Sequence, residues 1–448
     1  MKIKLYRSST LGIIFEDFKI LTDPWLTDGE YYGSWYHYPC FNLEFNLNEI
    51  NSYDAIYISH IHPDHCSEDT LKHINKNIPI FIHSFHAKFL KRKLLNLGFK
   101  VNELQNNKRY PLTKKIGLNI IAADNCNPQL CYNFTGCADL NSNNGSQQID
   151  TICLVDDGKN VILNLNDCPY ELVKNLKKKI KLQYEEISVL LTGYSGAGPY
   201  PQCFDNLNLE QKCFEAEKKK KYFLNQAFNY IKLFDPKYYM PFAGTYMLGG
   251  NLVKLNNLRG VPFLKEAHEF LEKKIYSEKI RSLSMNMYNE DIFDFNEKFL
   301  KKGPINNHMP DKLFFEKISK NKMNYETNDV PRTDEIISLI EIAKEKYFEK
   351  IENFNLRFKS KLVIEVDNNY SALINSQNKK MEILKNDNLI NQDNFVKIRI
   401  NKTLLKNILK GPKFAHWNNA EVGSHLRFLR NPDIYERSFY FSLSYLHV

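Results

Sequence analysis

Three histidines and an aspartate lie within six residues in the segment HIHPDH, which runs from His60 to His65. The segment directly follows DAIYIS, an apolar run with the pattern of a buried strand. His60 and His62 are two positions apart at the end of this strand, so both side chains can point to the same side. Pro63 then turns the chain, and Asp64 and His65 approach from another direction. Imidazole nitrogen and carboxylate oxygen are ligands of Zn²⁺ and Fe²⁺, so the pattern predicts a metal centre for one ion or two.

A histidine-rich turn exposed to solvent is the alternative interpretation of this segment. It fits poorly, because a buried strand leads into the cluster and because only 12 histidines occur among the 448 residues. We therefore interpret the segment as the metal-binding loop of an enzyme.

The segments around this loop alternate between strand-like and helix-like patterns. Ser67 is suited to cap a helix that follows the loop, with Glu68 and Asp69 in its first turn. Further elements are predicted as strands at Pro79–Ser84, Leu118–Ala123 and Ile187–Thr192, a hairpin at Asp150–Asp167, and helices at His86–Phe99, Glu171–Ile180 and Leu209–Phe234. This order predicts an α/β protein with two sheets packed face to face and helices on their outer faces.

Length and changes of pattern divide the chain into three parts. A chain of 448 residues exceeds one ordinary core. Beyond about residue 260 the pattern changes to charged helical segments, and from about residue 361 strands and helices alternate again. We predict a metal-binding domain at 1–260, a helical connecting segment at 261–360 and a small α+β domain at 361–448.

The amino-acid composition indicates where the protein is located and which kinds of partner it binds. The apolar fraction of 43% and the charged fraction of 25% are those of a soluble globular protein, and no apolar stretch is long enough to cross a bilayer. The first residues contain no uninterrupted apolar region, so we expect no signal peptide, a cytoplasmic location and no membrane partner. Nine cysteines without a CxxC pair are expected to be reduced thiols.

The net charge of +9 suits an anionic partner. Nucleic acid is not favoured, because no basic patch with interleaved aromatic residues stands out. The lysine run Lys218–Lys221 lies on a predicted helix and is interpreted as a solvated face. A small-molecule substrate is therefore expected.

The segment H-x-H-x-D-H after an apolar strand resembles the metallo-β-lactamase superfamily, whose fold is an αββα sandwich. The stretch ILTDPWL is similar to the first motif of that superfamily, where Asp23 would support the metal loop. VILNLNDCP is similar to its fourth motif, where Asp167 would bridge two metals. The resemblance implies that Asp64 and Asp167 are the catalytic carboxylates. It implies a ligand set of His60, His62, Asp64, His65 and Asp167.

Two histidines of the superfamily pattern are missing from this sequence. The first would fall near 146–148 and the second in the stretch PFAGTY, and neither place contains histidine. The loop before the hairpin offers replacement ligands of other types, although buried or surface residues without a metal are the alternative. These residues are Asp124, Cys126, Cys131, Cys137 and Asp139.

A closer resemblance is to the CMP-N-acetylneuraminate hydroxylase family without its Rieske iron–sulfur domain. The stretches LNLNDCP, GYSGAGPYPQCF, DPKYYMPFAG and VGSHLRFLRNPDIY occur in the same order in that family. A Rieske site requires paired Cys and His ligand motifs, and this sequence contains none. The resemblance implies a sugar or nucleotide sugar as the substrate class, which is an analogy with the family.

The stretch GYSGAGPYPQCF follows a predicted strand, and its glycines would let backbone N–H groups approach an anion. A structural turn is the alternative. The C-terminal stretch FAHWNNAEVGSH brings polar residues together and belongs either to a docking domain or to one wall of the site. Substrate binding is predicted for Tyr194, Ser195, Gly196, Tyr200, His416 and Asn419.

Three functions remain open. A hydrolase would use one or two ions of Zn²⁺ or Mn²⁺ and a metal-activated water on a small anionic or carbohydrate-type substrate, nucleotide sugars included. An oxygenase would use iron, O₂ and a redox partner protein as separate electron donor. A non-catalytic binding protein with a degenerate site is the third, but the intact HxHxDH segment and Asp167 argue against it. We predict the hydrolase.

Overall fold

The computed structural model describes residues 1–40, 46–124, 149–303, 309–326, 329–386 and 393–448. Its strands, in chain order, are β1 Lys2–Arg7, β2 Thr10–Ile14, β3 Lys19–Thr22, β4 Trp35–His37, β5 Ala55–Tyr57, β6 Ile80–His83, β7 Val101–Leu104, β8 Tyr110–Pro111, β9 Gly117–Ala122, β10 Thr151–Asp156, β11 Val161–Asn164, β12 Val189–Gly193, β13 Tyr238–Phe242, β14 Tyr246–Leu248, β15 Leu283–Ser284, β16 Ile292–Asp294, β17 Phe299–Lys301, β18 Lys361–Glu365, β19 Tyr370–Asn375, β20 Lys380–Lys385, β21 Phe395–Arg399 and β22 Arg427–Asn431.

The helices are Leu47–Ile50, Glu68–His73, Phe89–Asn96, Tyr170–Gln183, Leu209–Phe234, Leu264–Ser277, Asp311–Ser319, Thr333–Asn353, Lys402–Leu409, Trp417–Val422 and Arg437–Leu443, with a 3₁₀ segment at Gly250–Leu258. None of the helices in the described residues is long and apolar enough to span a membrane.

Two large sheets form the core of the first 300 residues. One has the strand order β17-β16-β1-β2-β3-β5-β6-β7 and the other β15-β13-β12-β11-β10-β9-β8. Their inner faces pack on each other through buried side chains such as Ile13, Ile120 and Met240. The short helices after β5 and β6 cover the first sheet, and the helices Tyr170–Gln183, Leu209–Phe234 and Leu264–Ser277 cover the second. The predicted αββα sandwich is confirmed.

The segment 261–360 is not only helical. Strand β15 pairs with β13 in the second sheet, and β16 pairs with β1 in the first, so both sheets are extended by this segment. The prediction missed these strands because they are only two or three residues long and show no clear alternation. The division of the chain at 260 and 360 stays a prediction.

The C-terminal residues form a five-stranded sheet in the order β20-β19-β18-β21-β22, with the helices Lys402–Leu409, Trp417–Val422 and Arg437–Leu443 against it. The sheet meets the sandwich at the glycine-rich stretch that follows β12. There the amide of Phe428 donates to the carbonyl oxygen of Cys203 at 2.9 Å, and the amide of Asp205 donates to that of Phe428 at 2.7 Å. This contact fixes the C-terminal part beside the metal loop.

Candidate metal centre

The strand ends of both sheets meet at one edge of the sandwich. Strands β3, β5 and β6 are parallel neighbours, so Asp23 after β3 and His60 after β5 emerge at the same edge. In the second sheet, Asp167 follows β11 and Thr151 begins β10. The hydroxyl of Thr151 donates to the carbonyl oxygen of Ser59 at 2.7 Å, which joins the two sheets at the metal loop.

Asp23 is the buried support of this loop, where the sequence placed it. Its carboxylate accepts hydrogen bonds from the amide of Ser59 at 2.7 Å, from the hydroxyl of Ser59 at 2.8 Å and from Nδ1 of His65 at 2.9 Å. Its side chain is fully buried. Burial raises the pKa of Asp23, and the hydrogen bonds and the neighbouring His65 oppose that rise. The carboxylate of Asp23 therefore orients the metal loop, and other residues provide the ligand atoms.

Each histidine has one ring nitrogen held by the protein. Nδ1 of His65 donates to Asp23, and Nδ1 of His60 lies 2.9 Å from the hydroxyl oxygen of Ser59, whose own proton points to Asp23. Nε2 of His62 lies 3.1 Å from the side-chain oxygen of Asn418, to which it donates. A neutral imidazole carries one donor and one acceptor nitrogen. The lone pairs available to a metal are therefore Nε2 of His60 and His65 and Nδ1 of His62.

Two triads of these groups lie close enough to hold a divalent ion. His60, His62 and Asp167 form one triad, and Asp64, His65 and Asp167 form the other, with ligand atoms within 4.8 Å of one another in each. Asp167 belongs to both triads, and the sequence predicts this position as a bridge between two metals. Its two carboxylate oxygens lie 3.4 Å from Nε2 of His65 and 3.9 Å from Nε2 of His60.

The donor set fits a metal. Nε2 of His60 is buried and has no hydrogen-bond partner, a position that costs free energy unless the lone pair is used. Imidazole nitrogens and carboxylate oxygens suit Zn²⁺, Mn²⁺ and Fe²⁺. The side chain of Asp167 is 39% exposed and faces a cavity, so one side of the site remains open.

Burial and neighbouring charges set the protonation of the loop. Burial lowers the pKa of His60, and His65 and His62 lower it further, so His60 is neutral. Burial also lowers the pKa of His62. For His65, burial acts in the same direction, but the carboxylates of Asp167, Asp64 and Asp23 outweigh it and raise the pKa. For Asp167, burial raises the pKa, but the positive charge of His65 outweighs it and the net shift is downward.

Tyr31 holds the second carboxylate. Its hydroxyl donates to Oδ1 of Asp64 at 2.5 Å, while Oδ2 of Asp64 lies 3.6 Å from Nε2 of His65. Burial raises the pKa of Tyr31 well above its usual value, and the charge of Asp64 adds to the rise, so the phenol stays a donor. Tyr31 therefore fixes one oxygen of Asp64 and leaves the other for a metal or a proton.

Several non-glycine residues at this edge have left-handed backbone conformations. Such conformations cost about 1–3 kcal/mol each and cluster at functional sites. Their φ angles are 41° at Asp23, 52° at Tyr31, 61° at Tyr32, 47° at Asn166 and 50° at Ala243.

A cavity of about 300 Å³ opens beside Asp64 and Asp167. Trp35 and Tyr246 line one side with stacked rings, whose centres are 3.4 Å apart. Tyr222 and Phe223, from the helix Leu209–Phe234, line another. These aromatic walls next to the metal ligands are suited to a small substrate.

The predicted substrate-binding residues of the glycine-rich stretch divide into two groups. Ser195 and Gly196 line the cavity, and the hydroxyl of Ser195 donates to the carbonyl oxygen of Gly244 at 2.7 Å. A side chain at Gly196 would lie 2.0 Å from the ring of Phe223, so the wall requires glycine there. The hydroxyl of Tyr194 pairs with that of Thr245 at 2.6 Å and its ring is buried, so we assign Tyr194 to the support of the wall.

Tyr200 also lies outside the cavity lining. Its ring packs edge-on against Phe204, with ring centres 5.3 Å apart. Burial raises its pKa to about 12. Tyr200 therefore belongs to the junction with the C-terminal sheet, and a direct contact with substrate does not follow from its position.

His416 and Asn419 lie in the C-terminal part, close to the metal loop. The backbone amide of His416 donates to the hydroxyl of Tyr32 at 2.7 Å, and burial lowers the pKa of His416 to about 4, with His62 adding to the shift. The side chain of Asn419 bonds to Tyr32. Both residues contact Tyr32 near the metal loop and lie outside the cavity lining, and their contact with substrate stays a prediction.

Sequence reasoning missed three residues of the site. Tyr31 and Asn418 are common polar residue types in a loop and a short helix, and nothing in their local patterns indicates a partner far along the chain. Asp150 carries a weak signal, because it is the first residue of the predicted hairpin and lies close to the position of a missing histidine. Its Oδ1 lies 3.9 Å from Nε2 of His60.

Of the proposed replacement ligands, only Asp124 lies in the described residues. It is fully buried at the end of β9 and belongs to neither triad. The others, Cys126, Cys131, Cys137 and Asp139, and the positions 146–148 lie outside the described residues.

Known proteins show similarity to this chain. Residues 2–163 match the family model described as "Beta-lactamase superfamily domain". A putative Rieske 2Fe-2S iron-sulfur protein of Mycobacterium tuberculosis is 26% identical over 270 residues, which are 59% of this chain and 47% of that protein. The inactive cytidine monophosphate-N-acetylneuraminic acid hydroxylase of Homo sapiens is 25% identical over 243 residues, 52% of this chain and 42% of that protein. The chain thus spans about half the length of these curated relatives.

Among solved structures, the isothiocyanate hydrolase from Delia radicum gut bacteria is 14% identical, with a TM-score of 0.44. The alignment covers 66% of this chain and 99% of that protein.

Proposed function

Because this chain belongs to the metallo-β-lactamase superfamily of metal-dependent enzymes, we propose that it is a hydrolase acting on a small anionic or carbohydrate-type substrate. One observation carries the proposal: three histidines, each with its second ring nitrogen held by the protein, converge with Asp64 and Asp167 at an open cavity. A catalytic site requires such an open side, whereas a structural metal site is closed.

The chemistry divides between the metal and the chain. His60, His62, His65, Asp64 and Asp167 would hold one or two divalent ions, which would lower the pKa of a bound water and act as a Lewis acid. Tyr31 holds Oδ1 of Asp64, so Oδ2 would bind a second ion or, in a centre with one ion held by His60, His62 and Asp167, accept a proton and return it to the leaving group. Trp35, Tyr246 and Phe223 line the rest of the cavity with aromatic rings.

Two cationic side chains behind the cavity wall support the proposal that the substrate is anionic. The ammonium of Lys219 donates to the carbonyl oxygens of Ala197 at 3.3 Å and Tyr200 at 3.0 Å. Arg259 is 1% exposed, and its guanidinium lies 4.5 Å from the centre of the Tyr246 ring.

Neither cation forms an ion pair with a carboxylate in the described residues, and Nη1 of Arg259 has no hydrogen-bond partner. Arg259 is buried and Lys219 is half-buried, and uncompensated buried charge is costly. Ala197 and Tyr246 line the cavity, so an anion bound there would offset this cost. In the lysine run that was predicted as a solvated face, Lys218 and Lys221 are exposed, and Lys219 is half-buried.

An iron-dependent oxygenase is the second candidate. It is favoured by the carboxylate-rich donor set, which suits iron as well as zinc, and by the names of the relatives, one a hydroxylase and one a Rieske protein. The proposal that the substrate is a nucleotide sugar rests only on the name of the hydroxylase relative. It applies equally to the hydrolase and to the oxygenase. An oxygenase would need a redox partner protein, and a hydrolase would not.

Elemental analysis of the protein purified without added metal tests the proposal. We expect Zn²⁺ or Mn²⁺ at one or two equivalents, and a several-fold lower content in His62→Ala. His86→Ala is the matched control, because His86 is exposed and belongs to neither triad. Absence of metal, or equal content in both variants, would reject the proposed centre.

A further inference from the structure

Asp150 lies close to the place, near 146–148, where the superfamily pattern lacks a histidine. It directly precedes β10, and its main chain is fixed because the amide of Ala123 donates to its carbonyl oxygen at 3.0 Å. The next residue, Thr151, bonds to the metal loop through Ser59. The side chain of Asp150 is 13% exposed and is turned toward His60.

His60 presents an unused lone pair to this carboxylate. Its Nδ1 is occupied by Ser59, and Nε2 is fully buried without a hydrogen-bond partner. Oδ1 of Asp150 and Oδ2 of Asp167 both lie 3.9 Å from Nε2. This separation is too long for a hydrogen bond.

The same separation suits two ligands of one ion. With bonds of about 2.1 Å, two ligand atoms of one ion are about 3.0 Å apart at a right angle and about 4.2 Å apart when opposite. The distance from Nε2 of His60 to each carboxylate falls within this range.

From this geometry we infer that Asp150 is a metal ligand beside His60 and that it takes the place of the missing histidine. The inference rests on the proposed metal centre and adds a ligand to it. The first ion would then have two imidazoles, from His60 and His62, and two carboxylates, from Asp150 and Asp167. Carboxylate oxygens suit Mn²⁺ and Fe²⁺ as well as Zn²⁺. A carboxylate in place of imidazole therefore moves the preference of this position away from Zn²⁺ and toward Mn²⁺ or Fe²⁺.

Two substitutions test the ligand. Asp150→Asn keeps the size of the side chain and removes its charge, and we expect it to lose about one equivalent of metal or at least tenfold in affinity. Asp150→His restores an imidazole, and we expect it to keep the metal count while the ratio of Zn²⁺ to Mn²⁺ affinity rises. Asp157→Asn, in the turn of the same hairpin, is the matched control and should match the wild type.

The measurements are metal content after dialysis, affinity by competition with a chromogenic chelator, and the visible absorption of the Co²⁺-loaded protein. The Co²⁺ spectrum should change in Asp150→Asn and Asp150→His, because a residue with a purely structural role would not alter the ligand field. Wild-type metal count, affinity and Co²⁺ spectrum in both variants would overturn the inference and leave the metal centre intact.

A wild-type protein that binds no metal would instead overturn the proposed function, and the inference with it. If Asp150→Asn does not fold, the Asp150→His variant alone tests whether Asp150 is a ligand, because it retains a donor atom at that position. In that case an unchanged metal preference and spectrum in Asp150→His overturn the inference, and a shift toward Zn²⁺ supports it.

Discussion

Nε2 of His62 lies 3.1 Å from the side-chain oxygen of Asn418, a residue 356 positions later in the chain. This hydrogen bond joins the metal loop to the helix Trp417–Val422 of the C-terminal part. By fixing the proton on Nε2, it leaves Nδ1 of His62 as the ligand atom. The C-terminal part therefore orients a ligand of the proposed metal centre.

Loss of this hydrogen bond should weaken metal binding. Asn418→Leu removes the acceptor that orients His62, and we expect metal affinity to fall about 10- to 100-fold, as for other residues that support a ligand. Competition with a chromogenic chelator measures the affinity. Asn353→Ala, on an exposed helix face of the same half of the chain, should bind metal as the wild type does. Equal affinities of the two variants would show that Asn418 does not orient His62.

The sandwich could be predicted because its elements carry local signals. The apolar strand before His60, the capping serine Ser67 and the long periodic helix Leu209–Phe234 each follow from neighbouring residues. The strands β15, β16 and β17 could not be found in this way, because tertiary pairing alone makes them strands. The same limit applies to Asn418 and Tyr31, which become part of the site only when distant segments meet.

Substitution of Asp167 should remove one metal ion of a pair. Because Asp167 belongs to both triads, Asp167→Asn replaces a charged bridge with a neutral amide, which is a poor ligand for two cations. We expect the loss of about one equivalent of metal, with the other retained, in elemental analysis. Asp157→Asn serves again as the control. An unchanged metal count would place Asp167 outside the ligand set.

His65 is expected to contribute to stability as well as to metal binding. In the metal-free protein, where Nε2 binds no ion, His65 is the cationic partner of Asp23, and both side chains are buried. Removing one member of a buried pair leaves the other uncompensated, so His65→Ala should lower the free energy of unfolding by about 3–5 kcal/mol. Denaturant unfolding of the chelator-treated protein measures this change.

His62→Ala is the comparison for this effect, because His62 pairs with a neutral amide and should cost less. Equal losses in the two variants would contradict the role given to Asp23. The sequence alone does not reveal which histidine has a buried counter-ion.

Lys219 should make anion binding depend on pH. Burial and the neighbouring charge of Arg259 together lower the pKa of Lys219 to about 7. The other groups near it are Arg259 and Cys203, and burial raises the pKa of Cys203 to about 11, so neither titrates near neutrality. As pH rises from 6 to 8, Lys219 loses its proton and the affinity for sulfate, which remains a dianion, should fall several-fold. Calorimetric titration of sulfate into the chelator-treated protein measures this affinity.

Two variants separate Lys219 from its neighbours. Lys219→Met should weaken sulfate binding at pH 6 and remove the dependence on pH. Lys218→Met should leave both unchanged, because the side chain of Lys218 is 68% exposed and pairs with Glu215. A pH dependence that survives in Lys219→Met would show that another group binds the anion.

The glycine-rich stretch shows what a motif can and cannot predict. Its position after a strand and its glycines predicted a stretch that approaches an anion; Ser195 and Gly196 line the cavity, and their binding of substrate stays a prediction. The motif could not indicate which aromatic residues face the cavity. Tyr194 turns away because Thr245 satisfies its hydroxyl, and Tyr200 turns toward the C-terminal sheet.

A hydrolase and an oxygenase differ in whether the reaction needs an electron source. Iron chemistry with O₂ needs an electron source, so an oxygenase would require a redox partner protein. In the described residues, the buried cysteines Cys66, Cys153, Cys168 and Cys203 belong to four separate core clusters, so they are not arranged to hold an iron–sulfur centre.

A hydrolase needs no electrons, and the open side of the proposed centre is sufficient for its chemistry. We therefore expect that the protein loaded with Zn²⁺, Mn²⁺ or Fe²⁺ consumes no O₂ above the background of the reductant, with or without a ferredoxin and its reductase. An oxygen electrode measures uptake in the presence of a nucleotide sugar, and the Asp167→Asn variant corrects for metal-independent oxidation. Uptake that requires Fe²⁺, reductant and nucleotide sugar together, and that is lost in Asp167→Asn, would make the oxygenase the better assignment, because a hydrolase has no use for the reductant.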